Sequence, residues 1–188
     1  MVRFIYRKTG KSLLGLKAGS VKINSVDRVI KAIRSCAFFA QVFSPRAVAS
    51  AEQVFFAHAQ MRNAFEQGTN LLSEPHMEFL LRLTGKKQVG KALEGAEVKE
   101  GAGTVLLAVE GKTQNEIKKN FAVLERELGF APLSAEKTKK FISKNAKKNA
   151  GSIKRFYGVS EAELAALKGK ENPLADAVIE RIALLGLE

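Results

Sequence analysis

The chain has 188 residues, 46% of them apolar, a formal net charge of +12 and one cysteine. That length suits a single domain with a real core. No run reaches the roughly 18 apolar residues of a membrane span, residues 1–20 lack the apolar block of a secretory signal, and Cys36 has no partner for an internal disulfide. Cys36 stands in the apolar run SCAFFA and reads as a buried, inert thiol, so a cytoplasmic location is expected.

Residues 2–7 (VRFIYR) alternate well enough for a strand, and Gly10, Gly15 and Gly19 make the next stretch a loop. Asn24 or Ser25 caps a helix from Val26 to about Ser35, with Val29, Ile30 and Ile33 inward. AFFAQVF (37–43) reads as a buried strand with a turn after Ser44-Pro45. Ser50 opens a longer helix to about Gln67, closed by Gly68, with Val54, His58, Met61 and Phe65 on its inner side. Ser73-Glu74-Pro75 starts the next helix with a capping hydroxyl and a proline in the first turn. That helix is apolar nearly all round and belongs in the core. It stops at Gly85, Lys86, Lys87 and Gln88 follow at once, and a short helix over 87–94 ends at Gly95.

TVLLAVE (104–110) is a continuous apolar strand. Thr113 caps a helix to about Leu128 with Ile117, Phe121 and Leu124 inward, and 130–134 is a connector with room for a short edge strand. Residues 135–149 form a lysine-rich helix, Ser160 opens a short helix with capping-box spacing, and Asn172-Pro173 opens the last one. Few strands separated by helices predict an α+β fold, a small and mostly antiparallel sheet covered by several helices with a helical C-terminal part. The expected organisation is one domain: a sheet-and-helix core over 1–130, a basic helical segment over 131–158, and docking helices over 159–188.

The positive charge points to a polyanionic partner, with an acidic protein surface as the alternative, and it is segregated. Lys137, Lys139, Lys140, Lys144, Lys147, Lys148, Lys154 and Arg155 follow one another without a carboxylate between them. Lys140, Lys144, Lys147 and Lys148 are candidate phosphate contacts; a merely soluble basic helix is the other reading. The second cationic group is the junction at Gly85. Lys87 and Lys91 lie four apart and share a helix face, Lys86 and Gln88 flank them, and Arg82 sits one turn earlier. Lysines there can neutralise phosphates while Gln88 hydrogen-bonds a base or ribose edge, with His76 close to that surface. The alternative is an ordinary solvated helix start with Arg82 paired to Glu78 at i,i+4.

In the last helix Leu174, Val178, Ile182 and Leu185 form a stripe, with Ala175, Ile179 and Ala183 beside it and Leu184 and Leu187 widening it. Such a surface folds into its own core or takes a partner's helix. His58 reads as a core histidine. No His, Cys, Asp or Glu grouping has ligand spacing, so no metal or cofactor is expected. There is no P-loop, no GxGxxG after a strand and no GxSxG, so catalysis by this chain alone is not expected.

Four pieces in order, FAQVFSPRAVASAEQVFFAHAQ, MEFLLRLTGKKQVGKALE, TVLLAVE and ADAVIERIALLGLE, carry a family resemblance. Together they resemble the small kinase-binding subunit of the KEOPS complex, the CGI-type protein of archaea and eukaryotes, over roughly residues 37–128 and 172–188. Three features depart from that pattern. Glu74, Pro75 and His76 stand where small residues are common. Lys86-Lys87 replaces a dipeptide such as Thr-Arg, keeping charge but losing the fork and stacking plane of arginine. The basic stretch 135–155 is long.

The resemblance implies a non-enzymatic subunit of a complex that makes threonylcarbamoyladenosine beside the anticodon of tRNA. A different subunit carries the transferase site. The CGI-type subunit packs on the complex's small atypical kinase by its C-terminal helix, supports its ATPase activity, and in archaea binds the single-stranded 3′ CCA end of tRNA. Carried onto this chain, the RNA-binding residues are Arg82, Lys86, Lys87, Gln88 and Lys91, and the kinase-binding residues are Leu174, Val178, Ile179, Ile182 and Leu185. The partners are the kinase, tRNA and, indirectly, the transferase subunit, with no membrane. The alternative is a regulator of the kinase that acts by protein contacts and never touches RNA.

Overall fold

A computed structural model describes residues 4–185. They cluster into two compact units, one built from the chain up to Pro45 together with Glu97–Phe141, the other from Arg46–Ala96 together with the chain from Ile142 onward. The fold is α+β, with an antiparallel sheet and a helical C-terminal part.

In the first unit the strands run in the order β1 (Ile5–Thr9), β2 (Ser12–Ile23), β4 (Gly101–Gly111), β3 (Ala40–Phe43), and the two-residue β5 (Ala131–Pro132) also pairs with β2. Of the strand expected over 2–7, residues 2 and 3 lie outside the described residues. The apolar run 104–110 becomes β4, paired along its length with β2 and flanked by β3. Helices α1 (Val26–Arg34) and α5 (Gln114–Leu128) pack on the sheet, capped by Ser25 and Thr113, whose side chains accept from Arg28 N and Glu116 N. Ile117, Phe121 and Leu124 of α5 join Val21, Val42, Val105 and Leu107 in one core, as their spacing predicts. On α1 the inward residues are Val29, Ala32 and Ile33; Ile30 points outward at 38% exposure.

The stretch expected as a loop over 10–19 is instead the start and middle of β2, the central strand. Only Gly10, with φ +67°, turns the chain, in the two-residue connection between Thr9 and Ser12. Gly15 and Gly19 serve close packing. A Cβ at Gly15 would stand 2.5 Å from Ile117 Cγ2, and one at Gly19 would stand 2.4 Å from Phe130 Cζ and 2.5 Å from the Ala131 carbonyl oxygen. These glycines let α5 and the β5 segment approach the sheet, a second use of glycine in strands. Next to them Lys17 is buried, pairs with Glu125 and lies over the Phe121 ring at 4.4 Å. Cys36 is half-buried rather than buried; its thiol donates to Ala32 O at 3.4 Å, and burial, then Glu127, push its pKa up.

The second unit is helical: α2 (Ala51–Gln67), α3 (Pro75–Thr84), α4 (Val89–Ala96), α7 (Ala150–Tyr157), α8 (Glu161–Ala166) and α9 (Pro173–Leu184), with the C-terminal half of α6 (Ala135–Lys148). Ser50 caps α2 through Gln53 N and Gly68 closes it in the left-handed conformation, as expected. Val54, His58 and Met61 are buried while Phe65 is half-buried. Seven consecutive residues of α3, Glu78 to Thr84, are buried. Its first turn differs from expectation. Glu74, not Ser73, holds the N-cap position, with no side-chain cap bond. The preceding loop is tied down instead by the buried Glu78 carboxylate, which accepts from Leu71 N at 3.0 Å and Leu72 N at 2.9 Å.

Candidate nucleic-acid and partner-binding surface

The Gly85 turn is positioned from beneath by a buried polar network. Gln53 on α2 is fully buried; its amide nitrogen lies within hydrogen-bond distance of Leu83 O (2.9 Å), Ala47 O (3.1 Å) and the Tyr157 hydroxyl (2.7 Å), and its oxygen accepts from Ala49 N (2.7 Å). The Tyr157 hydroxyl lies 2.8 Å from Ala47 O and 3.0 Å from Leu83 O. Burial holds this phenol far above its ordinary pKa, against the Gln53 hydrogen bond, so it stays neutral. The network joins α2, α7 and the end of α3, two residues before Gly85. Satisfied groups of this kind fix a unique local geometry.

Gly85 itself has φ +63°, where a side chain is strained, and closes α3 by donating its N–H to Leu81 O. A Cβ placed there would stand 3.7 Å from Arg181 O and 3.8 Å from Ile182 Cα, so the turn lies against the backbone of α9. The Gly85 turn and the last helix therefore abut within one unit.

Arg82 is buried at 4% exposure and engaged by Glu78, with Nε to Oε1 at 2.8 Å and a further N–H toward Thr69 O at 3.5 Å. The i,i+4 pair foreseen for this position is present, inside the unit rather than in solvent. Lys86 is half-buried. Its ammonium donates to Phe156 O at 2.7 Å and sits 4.8 Å from the centre of the Phe156 ring. Burial, then the Lys91 ammonium, lower its pKa, opposed by Glu94. Lys86 and Arg181, which donates to Gly158 O at 3.3 Å, thus place two cations on the negative end of α7. Lys87, Gln88 and Lys91 are exposed, and Gln88 O receives the Ala92 N–H that begins α4, which runs two residues later than expected. His76 is half-buried.

Along α6, Thr138, Ile142 and Ala146 form the buried stripe, while Lys137, Lys139, Lys140, Lys144, Lys147 and Lys148 are exposed. Lys140 pairs with Glu136 at 2.6 Å on the surface, a geometry worth little.

On α9 the expected stripe divides. Val178 and Ile182 are completely buried and Leu185 nearly so, packed with Ile153, Tyr157 and Ala175 or with Leu81 and Ala92. Leu174, Ile179 and Ala183 are half-buried and Leu184 is 45% exposed. Leu187 lies outside the described residues. Arg181 ties α9 to α8 through Glu163, whose carboxylate also completes the Ser160 capping box. The Ser160 hydrogen bonds, then Arg181, hold the Glu163 carboxyl below its usual range.

His58 is fully buried and its pKa is lowered to about 3 by burial and then by Arg62. Among the described residues no three His, Cys, Asp or Glu side chains come together as a metal would require, and no helix is long and apolar enough to cross a membrane.

Two features were out of reach of the sequence reading: the Gln53–Tyr157 network and Phe156 under Lys86. Their partners lie 104 and 70 residues apart in the chain, and no local pattern marks them.

Among the described residues, α9 is an apolar helix whose Ile179, Ala183 and Leu184 form a partly open ridge. The sequence profile of the kinase binding protein CGI-121 family matches residues 22–186, and the chain belongs to that family of kinase-binding proteins. No curated protein matches it.

Proposed function

We propose that this chain is the non-catalytic, tRNA-recruiting subunit of a KEOPS-type complex. It holds the 3′ CCA end of tRNA at the Gly85 turn and docks by α9 on the complex's small atypical kinase, whose ATPase it supports. The observation that carries this reading is the contact between the two surfaces: exposed Lys87, Gln88 and Lys91 follow a turn that rests on Arg181 and Ile182 of α9. An RNA end held there stays beside whatever α9 binds, which raises its effective concentration at the transferase subunit. Lys87 and Lys91 neutralise phosphates and Gln88 reads a base or ribose edge. Lys86 and Arg82 act from below, by fixing the turn. The kinase meets Ile179, Ala183 and Leu184, with Leu174 at the edge, while Val178, Ile182 and Leu185 anchor the helix.

The engagement of Lys86 with Phe156 favours a second reading, a regulator of the kinase that does not touch RNA. A gel shift of the purified chain with intact and CCA-less tRNA separates the two. The first reading predicts loss of affinity on removing CCA, and loss in the Lys87→Ala, Lys91→Ala variant with kinase association retained. Equal retention of both tRNAs by both proteins contradicts it.

A further inference from the structure

We propose that the outer face of α6 is a track for the sugar–phosphate backbone of a paired nucleic acid, separate from the Gly85 turn. Lys137, Lys140, Lys144 and Lys147 or Lys148 recur every three or four residues, opposite the buried Thr138, Ile142 and Ala146. They share one continuous helix, so helix geometry alone sets their spacing. Neighbouring lysines stand about 5–6 Å apart, and the stripe runs roughly 16 Å. One strand of a duplex presents a charge about every 3.4 Å of its axis, so the stripe faces about five phosphates.

The composition of the face selects the partner. Its exposed residues are Glu136, six lysines and Ser143. The helix's one aromatic, Phe141, is half-buried. A face that binds single strands stacks bases on aromatic side chains. A protein interface centres on a buried aromatic or arginine anchor, and a membrane-surface helix inserts apolar side chains. The α6 face offers none of these. It offers exposed point charges, which suit a regular polyanion read without regard to sequence.

The test uses a blunt RNA hairpin with no single-stranded 3′ end, so it does not depend on the CCA-end reading. Binding to the intact chain is titrated with salt for wild type, for Lys144→Gln/Lys147→Gln/Lys148→Gln, and for a charge-matched control on α5 and the turn before it, Lys112→Gln/Lys118→Gln/Lys119→Gln. All six residues are exposed, and glutamine matches lysine in helix propensity, so folding is retained. Each lost phosphate contact removes about 0.9 from the salt slope and about 0.7 log units at 0.15 M salt, so the α6 variant, which removes two of the stripe's contacts, should bind roughly 30-fold more weakly with a slope lower by about 2. The control should bind as wild type does. Equal binding by wild type and the α6 variant overturns the proposal, and so does an equal loss in the control. A DNA hairpin in a second arm names the source of the backbone: binding that favours RNA points to the A-form, equal binding to any duplex, and either supports the track when the α6 variant loses it. Capture of phosphatidylserine vesicles through these lysines, with no hairpin bound, overturns it.

Discussion

Replacing Gly19 by alanine should destabilise the chain although alanine is ordinarily the better strand residue. The new Cβ would stand 2.4 Å from Phe130 Cζ and 2.5 Å from Ala131 O, where 3.4–4 Å is ordinary contact. An overlap near 1 Å must be relieved. The Phe130 ring is buried at 5% exposure, and the carbonyl belongs to β5, whose pairing with Gly19 and Ser20 fixes it. Overpacking of this kind costs about 1–3 kcal/mol, and the backbone neighbour puts Gly19 at about 3. The entropy that alanine removes from the unfolded chain returns about 0.4–1 kcal/mol, so the net loss is about 2 kcal/mol. Gly103 is the control, since it stands in β4 of the same sheet and a Cβ there meets nothing within 4 Å. Gly103→Ala should be neutral or gain up to about 1 kcal/mol. Urea unfolding followed by circular dichroism, at unchanged m-value, reads both. Equal midpoints for the two variants would refute the claim that β2 carries glycine for close packing.

Four further outcomes are expected. His58 has its pKa near 3 in the folded chain; above the unfolded value both states are neutral, and below it only the unfolded chain takes the proton. Stability should therefore fall by about 1.4 kcal/mol per pH unit below about 6.5, or about 2 kcal/mol by pH 5; His58→Met should flatten that slope in denaturant titrations at pH 7, 6 and 5. In a double-mutant cycle, Gln53→Leu and Tyr157→Phe should couple by about 1–3 kcal/mol, because they share the Ala47 and Leu83 carbonyls; additive losses would dissolve the network. Lys86→Met should cost about 1 kcal/mol by uncapping α7, and an unchanged melting temperature would free that ammonium for another role. Leu184→Asp should leave the melting curve within about 0.5 kcal/mol of wild type yet weaken association with the kinase in a pull-down.

Local rules made much of this fold legible. Ser25, Ser50, Thr113, Ser160 and Asn172 all accept a backbone N–H as caps, and the left-handed Gly68 and Gly85 end α2 and α3; α7 as a separate helix, closed by Gly158, is not marked within the lysine-rich pattern. A cap depends only on residues within one turn. Gly15 and Gly19 show where local rules end: the same residue marks a turn or a tight interface, and the deciding neighbours, Ile117 and Phe130, are a hundred residues away. The Gly85 turn was legible as a cationic junction because glycine and charge adjoin in the chain. That Arg82 would turn inward to Glu78, and Lys86 toward Phe156, depends on packing that charge patterns do not encode. The stripe on α9 was likewise visible as a period, while its division into anchors and an open ridge was not.

The central claim is that exposed cations at the Gly85 turn hold the single-stranded end of tRNA beside the docking helix. Equilibrium binding of the purified chain to intact tRNA and to the same tRNA lacking its terminal CCA tests it most directly, with Lys87→Ala/Lys91→Ala in parallel. The account predicts that trimming weakens wild-type binding at least about tenfold, about 1.4 kcal/mol, and that the variant no longer distinguishes the two RNAs. Equal affinity of the wild-type chain for intact and trimmed tRNA would contradict it.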